Sequence, residues 1–193
     1  MSKIKSNKFI ELSLEQIPRL LGQLNRNPSS VSYGSFDRAY WHYRTNDISC
    51  ARYQEAVYTL VLLYCSDVEG NNYFQDKKLL EYIRASFCFT AGLQRRNGSF
   101  DEWYINEGSY VATAFLVAAL SESIDLFRKN KVVIEEEEEL ILGVLERAAI
   151  FLIRASEQTV MNQVSGAIFA IASVGKLRNN DFFIETAQQL LNH

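Results

Sequence analysis

Both prolines of this chain, Pro18 and Pro28, lie near its start, and beyond Asn27-Pro28-Ser29-Ser30 only glycine and asparagine clusters interrupt it. A stretch without proline keeps every N–H that an i→i−4 ladder needs. Sustained apolar/polar alternation, the mark of a half-buried strand, is absent. The expectation is an all-α chain, at least half helix.

Periodicity places the helices. The first is expected over roughly Leu14 to Asn25, with Ser13 and Gln16 spaced as a capping box or Pro18 in the first turn. Others come at about Ala51–Tyr64, Lys77–Leu93, Ser109–Arg128, Ile134–Ser156 and Val160–Leu177, and a last one opens after Asn180-Asp181. The third carries an amphipathic stripe of Leu79, Leu80, Ile83 and Phe87. The fourth and sixth are Ala/Gly-rich and apolar nearly all round, hence buried, while Glu135–Glu139 reads as a solvated first turn complementing its helix dipole. Amphipathic helices thus alternate with buried ones, as in an outer ring packed around an inner ring. Hairpins recur every ~50–60 residues, an internal repeat.

Bulk properties exclude several classes. The chain has 193 residues, 48% of them hydrophobic, which suits one domain with a real core. With 20 basic against 23 acidic residues, no excess charge points to nucleic acid. Cys50, Cys65 and Cys88 are odd in number and widely spaced, so neither a disulfide framework nor a zinc site fits; no metal or cofactor is expected. Cys65 and Cys88 sit in apolar runs and read as small core residues. The longest apolar run, "VATAFLVAAL", falls short of the ~20 residues that span a bilayer. These features imply a cytoplasmic protein with no membrane partner.

The tetrapeptide Gly-Ser-Phe-Asp occurs twice, at Gly34–Asp37 and Gly98–Asp101, each time leading toward a buried helix. Glycine suits a left-handed cap, Ser or Asp can cap the next helix, and Phe36 and Phe100 can act as plugs between helices. In "ASFCFTAGLQRRNGSFDEW" the spacing of Gln94, Gly98 and Phe100 resembles the QW motif of terpenoid cyclases, with Phe for the usual Trp. In that superfamily the motif ties the hairpins of an α/α toroid together. The first copy departs, because Gln23 lies too far from Gly34, and Gln158 has no Gly-aromatic partner. The acidic Asp-x-Asp-Asp signature of the cyclases is missing, so an isoprenoid reading rests on the spacing alone. The longer run "GSFDEWYINEGSYVATAF" resembles the turn before an inner helix in carbohydrate-active toroids, the six-hairpin glycosidases and heparinase-like lyases. The resemblance implies that residues 1–193 form one α/α-hairpin domain. With about three hairpins, it would be a partial toroid or the N-terminal half of one.

The residues behind each GSFD are dense in aromatics and charge. Asp37, Trp41, His42, Tyr43, Arg44 and Arg52 succeed the first; Asp101, Glu102, Trp103, Tyr104 and Glu107 succeed the second. In a toroid both loops lie at one mouth. Aromatic faces stack on sugar rings while charged groups bind hydroxyls or carboxylates, so Trp41, Tyr43, Arg44, Arg52 and Trp103 are candidate carbohydrate contacts. Hydrolysis would pair Asp101 or Glu102 with Glu107 or Asp37. β-Elimination would use His42, Tyr43 or Tyr104 as base, with Arg44 neutralising a uronate. The competing reading is a non-catalytic scaffold or binding module, in which Arg52 and Glu55 form an i, i+3 surface pair and the loops serve packing.

Three hairpins leave apolar inner-helix surface at the open edge, more than the few hundred Å² usual for monomers. A homodimer or a further C-terminal half would cover it. Size-exclusion light scattering should then show a species larger than the 22.1 kDa of one chain; a monodisperse monomer on dilution would show that the arc covers its own edges.

Overall fold

Four of the helices begin where a polar side chain meets the orphan N–H groups of the first turn. A computed structural model describes residues 4–155 and 159–192; Ser156 and Gln158 lie outside them. The order is α1 (Lys8–Gln23), a π turn (Ala39–Tyr43), a 3-10 turn (Ala51–Glu55) running into α2 (Ala56–Cys65), then α3 (Lys77–Leu93), α4 (Tyr110–Lys129), α5 (Glu135–Ala155), α6 (Met161–Arg178) and α7 (Asp181–Leu191). Of the described residues 67% are helical, and none is in a strand. Asp76, Ser109 and Asn180 cap α3, α4 and α7 through their side-chain oxygens.

The first helix departs from expectation. It starts six residues earlier than Leu14, because Asn7 accepts from the Phe9 and Ile10 N–H groups, and it ends at Gln23. Ser13, far from capping, donates back to the Phe9 carbonyl, and Pro18 sits inside the helix. Cys88 also differs. It comes after fully buried Phe87 on amphipathic α3, one residue and ~100° round the helix, so it points outward and is exposed.

The helices pack against one another as hairpins in an all-α fold. In one layer α4 lies between α2 and α6; in the other α3 packs on α5. By length and composition α4 is apolar enough to cross a membrane, but 56% of that window is buried between its neighbours, as befits an inner helix. Small residues allow the close approach: Ala112, Ala114, Ala167 and Ala170 are all buried. At the far end α7 lies along α6, with Gly175 against Ile184, so that edge is partly covered by the chain itself. Phe9 and Leu62 are exposed on the opposite edge, beside an apolar groove between α1 and α2.

Glu135, Glu136 and Glu139 of the glutamate run are exposed as expected, while Glu137 and Glu138 are half-buried. Glu138 pairs with Arg128 at the end of α4 at 2.8 Å, Glu137 approaches Arg84 of α3 at 3.9 Å, and Glu139 meets Arg178 of α6 at 3.5 Å. The start of α5 touches all three neighbouring helices, and that brings the acidic side chains within reach of their basic ends.

Both GSFD copies form the same turn. Gly34 N–H donates to the Asn25 carbonyl and Asn25 N–H to Ser35; Gly98 N–H donates to Arg95 and Arg95 N–H to Ser99, at 2.8–2.9 Å in every case. The first copy merely makes a longer excursion, folded on Asn25, whose amide donates to Ser30 and Ser32. Phe36 and Phe100 are buried plugs, their N–H groups satisfied by Gln54 Oε1 and Thr113 Oγ1 on the inner segments that come next. Gly34 (φ +93°) lies against the Ala85 backbone of α3, and Gly98 (φ +92°) against the Arg147 backbone of α5. Gln94 adds a second tie at the later turn. Its amide donates to the Gly98 and Val144 carbonyls, and its oxygen accepts from Arg147 Nε.

A Cβ on Gly98 would collide with the Arg147 carbonyl in a backbone conformation that L-residues avoid. Gly98→Ala should therefore lose about 2–5 kcal/mol, from strain plus overpacking. Gly92, in α3 with open space around it, is the control: Gly92→Ala should gain about 0.5–1 kcal/mol. Chemical denaturation of the two variants checks both signs.

Candidate functional site

The two post-GSFD loops meet. Ala51 N–H donates to the Asp101 carbonyl at 3.1 Å, joining the start of one inner segment to the next repeat's turn. Between the loops lies a cleft of about 460 Å³, lined on one side by Thr45, Asn46, Asp47, Ile48, Cys50 and Tyr53. The other side is Glu102, Trp103, Tyr104 and Ile105.

The second loop is built by carboxylates that point into the loop itself. Glu107 Oε2 accepts from the N–H groups of Glu102 at 2.9 Å and Trp103 at 2.8 Å. Asp101 accepts from Gly108 N–H at 2.8 Å and Asn106 N–H at 3.1 Å, and pairs with Arg95 at 3.0 Å. This scaffolding projects Trp103, Tyr104 and Ile105 outward, 68%, 74% and 60% exposed. Glu102 is the carboxylate of this loop that faces the cleft, with Oε2 accepting from Ser109 Oγ at 3.2 Å.

The first loop is organised by Asp37, which is fully buried. Its oxygens accept from Tyr40 N–H at 3.2 Å and Cys50 N–H at 2.9 Å. Asp37, Asp101 and Glu107 are thus engaged in holding backbone. Trp41, His42, Tyr43 and Arg44 do not line the cleft. Trp41 Nε1 donates to the Gln23 carbonyl at 2.8 Å, tying the π turn to the end of α1, and His42 stacks edge-on between Trp41 and Tyr43. Arg38 lies over the Tyr43 ring, and Arg44 ends the turn in the left-handed region. The sequence pattern did not single out Tyr53, and it placed Asp47 in the charged run of the first loop without giving it a role; the signal for Tyr53 was an aromatic beside the charged start of an inner segment.

Arg52 also faces elsewhere. Its guanidinium stacks on Phe115 of α4 at 4.6 Å and reaches Glu55 at 2.8 Å. That ion pair is not aligned as a hydrogen bond, and Glu55 Oε1 is buried without one. Burial pushes the Glu55 carboxyl up to about 6; the Glu102 charge adds to the rise and Arg52 opposes it. Burial likewise raises the Cys50 thiol, and backbone N–H groups of Arg52 and Tyr53 oppose the rise, while Glu102 and Asp37 add to it. The thiol at the edge of the cleft is held protonated, which does not suit a nucleophile. Among the described residues no cluster of His, Cys, Asp and Glu is placed to hold a metal ion.

No family model, no curated protein and no solved structure matches this chain.

Because Glu55 binds its proton more tightly in the folded state, it contributes stability that is complete below its ordinary value of 4.5 and is lost as pH rises through about 6. Glu55→Gln lacks this titration. Wild type should lose stability relative to the variant across that window, by on the order of 1 kcal/mol after solvent screening. Urea denaturation at a series of pH values checks it; a constant difference contradicts the burial argument.

Proposed function

We propose that this chain is a carbohydrate-active protein that binds an oligosaccharide in the cleft between the two GSFD loops. The observation that carries this reading is the placement of Tyr53, Trp103 and Tyr104 around the carboxylates Asp47 and Glu102. Aromatic faces offer apolar platforms to sugar rings, and carboxylate oxygens accept from hydroxyls. The platform is preorganised, since Glu107 holds the backbone of Trp103 before any ligand arrives.

If the cleft reacts, its own residues favour hydrolysis over elimination. Glu102 and Asp47 provide two carboxylates, one to protonate the glycosidic oxygen and one to attack the anomeric carbon or activate water. Elimination would draw on Tyr104 as base, but neither Arg44 nor Arg52 lines the cleft, which leaves the neutral amide of Asn46 to face a uronate. A second reading, binding without reaction, is favoured by the engagement of Asp37, Asp101 and Glu107 in loop structure.

Trp103 is exposed, so its truncation should leave the fold intact while removing a stacking face. Titration calorimetry with neutral N-acetylglucosamine and glucose oligomers should show binding that Trp103→Ala weakens about tenfold or more. Absence of binding to every oligomer tried, neutral or charged, or binding indifferent to Trp103, overturns the reading.

A further inference from the structure

The charge of the cleft has one sign. Asp47 and Glu102 line it, and no Lys, Arg or His is among its lining residues. Of the nearby cations, Arg52 is engaged with Glu55 and the Phe115 ring and Arg95 with Asp101 and Asn106, while Arg44 ends the π turn outside the cleft lining. Among the described residues Glu102 receives one hydroxyl, from Ser109, and no charged partner. Its field reaches beyond its own loop, adding to the upward shifts of Glu55 and Cys50 on the facing segment.

We propose that the cleft selects saccharides bearing a free amine, of glucosamine type, with the ammonium held by Glu102 and Asp47 and the rings on Trp103, Tyr104 and Tyr53. This rests on the saccharide reading and sharpens it. A protonated amine brings the counter-charge that the cleft lacks and donates hydrogen bonds to both carboxylates. A uronate brings a third negative charge to two that are already uncompensated, and like-charge juxtaposition rejects wrong partners effectively. N-Acetylation removes the ligand's charge and leaves only stacking and neutral hydrogen bonds.

The test is titration calorimetry on the full chain with three oligomers of equal length: glucosamine, N-acetylglucosamine and galacturonate. The titration is run at about pH 5, because the electron-withdrawing oxygens beside the glucosamine amine make it far less basic than an ordinary aliphatic amine. The glucosamine oligomer should bind tightest, the acetylated one more weakly, and the uronate not measurably. The amine preference should shrink as salt rises. Glu102→Gln and Asp47→Asn should each cut glucosamine binding about fivefold and leave the acetylated oligomer nearly unchanged. Glu185→Gln, on the exposed face of α7, should change neither. Equal or tighter binding of the acetylated or uronate oligomer overturns the amine preference while the saccharide reading stands. Binding of none of the three overturns both. Either carboxylate variant suffices for the charge arm if the other fails to fold.

Discussion

Gly34 and Gly98 bring backbone against backbone where any side chain would intervene. Each sits at a turn between repeats, in the left-handed region, with the backbone of the next outer-layer helix where its Cβ would be. The contact sets the distance between α3 and the turn that precedes it, and between α5 and its own. Once that distance is set, Phe36 and Phe100 fall into the core, and their N–H groups reach Gln54 and Thr113 on the inner segments. A buried N–H without a partner is costly, so these side-chain acceptors confine each turn to one position. The repeat therefore propagates through a few bonds of one geometry, as in stacked-hairpin proteins generally.

The site inherits this rigidity. Asp101 comes directly after Phe100, and its side chain collects the N–H groups of Asn106 and Gly108 while its carbonyl accepts from Ala51. Asp37 does the equivalent in the first repeat, joining Tyr40 and Cys50. The last residue of each GSFD is a clamp that returns the loop to the next inner segment. Between the two clamps the cleft opens, and the side chains left to face it are aromatic, acidic, aliphatic or small and polar. Scaffold and site are consecutive residues: the structural acids hold the backbone from which Glu102 and Trp103 project.

The Arg52–Glu55 pair shows how far burial can outweigh attraction. A guanidinium at 2.8 Å ordinarily holds a carboxyl below its usual value, yet Glu55 is raised. The pair lies at the start of an inner segment, under Phe115 of α4, and lacks hydrogen-bond alignment. Desolvation then exceeds the Coulombic gain, as is common for ion pairs withdrawn from water. Such a pair adds little stability, and it removes a cation from the neighbourhood of the cleft.

The sequence by itself determined the helical class, most of the helix limits, the alternation of buried and amphipathic segments, and the equivalence of the two GSFD turns. Those are local matters: absence of proline, capping residues, and a 3.6-residue period act within a few turns of chain. It did not determine the start of α1, because Asn7 and Ser13 are both plausible caps, and only the folded chain has Asn7 accept from Phe9 and Ile10 while Ser13 donates back to the Phe9 carbonyl. Nor did it separate carboxylates that hold backbone from those that face solvent. Asp101 and Glu102 are adjacent and chemically alike, but one turns into the loop and the other into the cleft. Tertiary structure decided that, because only the folded chain brings Ala51 to Asp101 and sets Tyr53 opposite Trp103. A side chain's role depends on which donors reach it, and those donors come from distant parts of the chain.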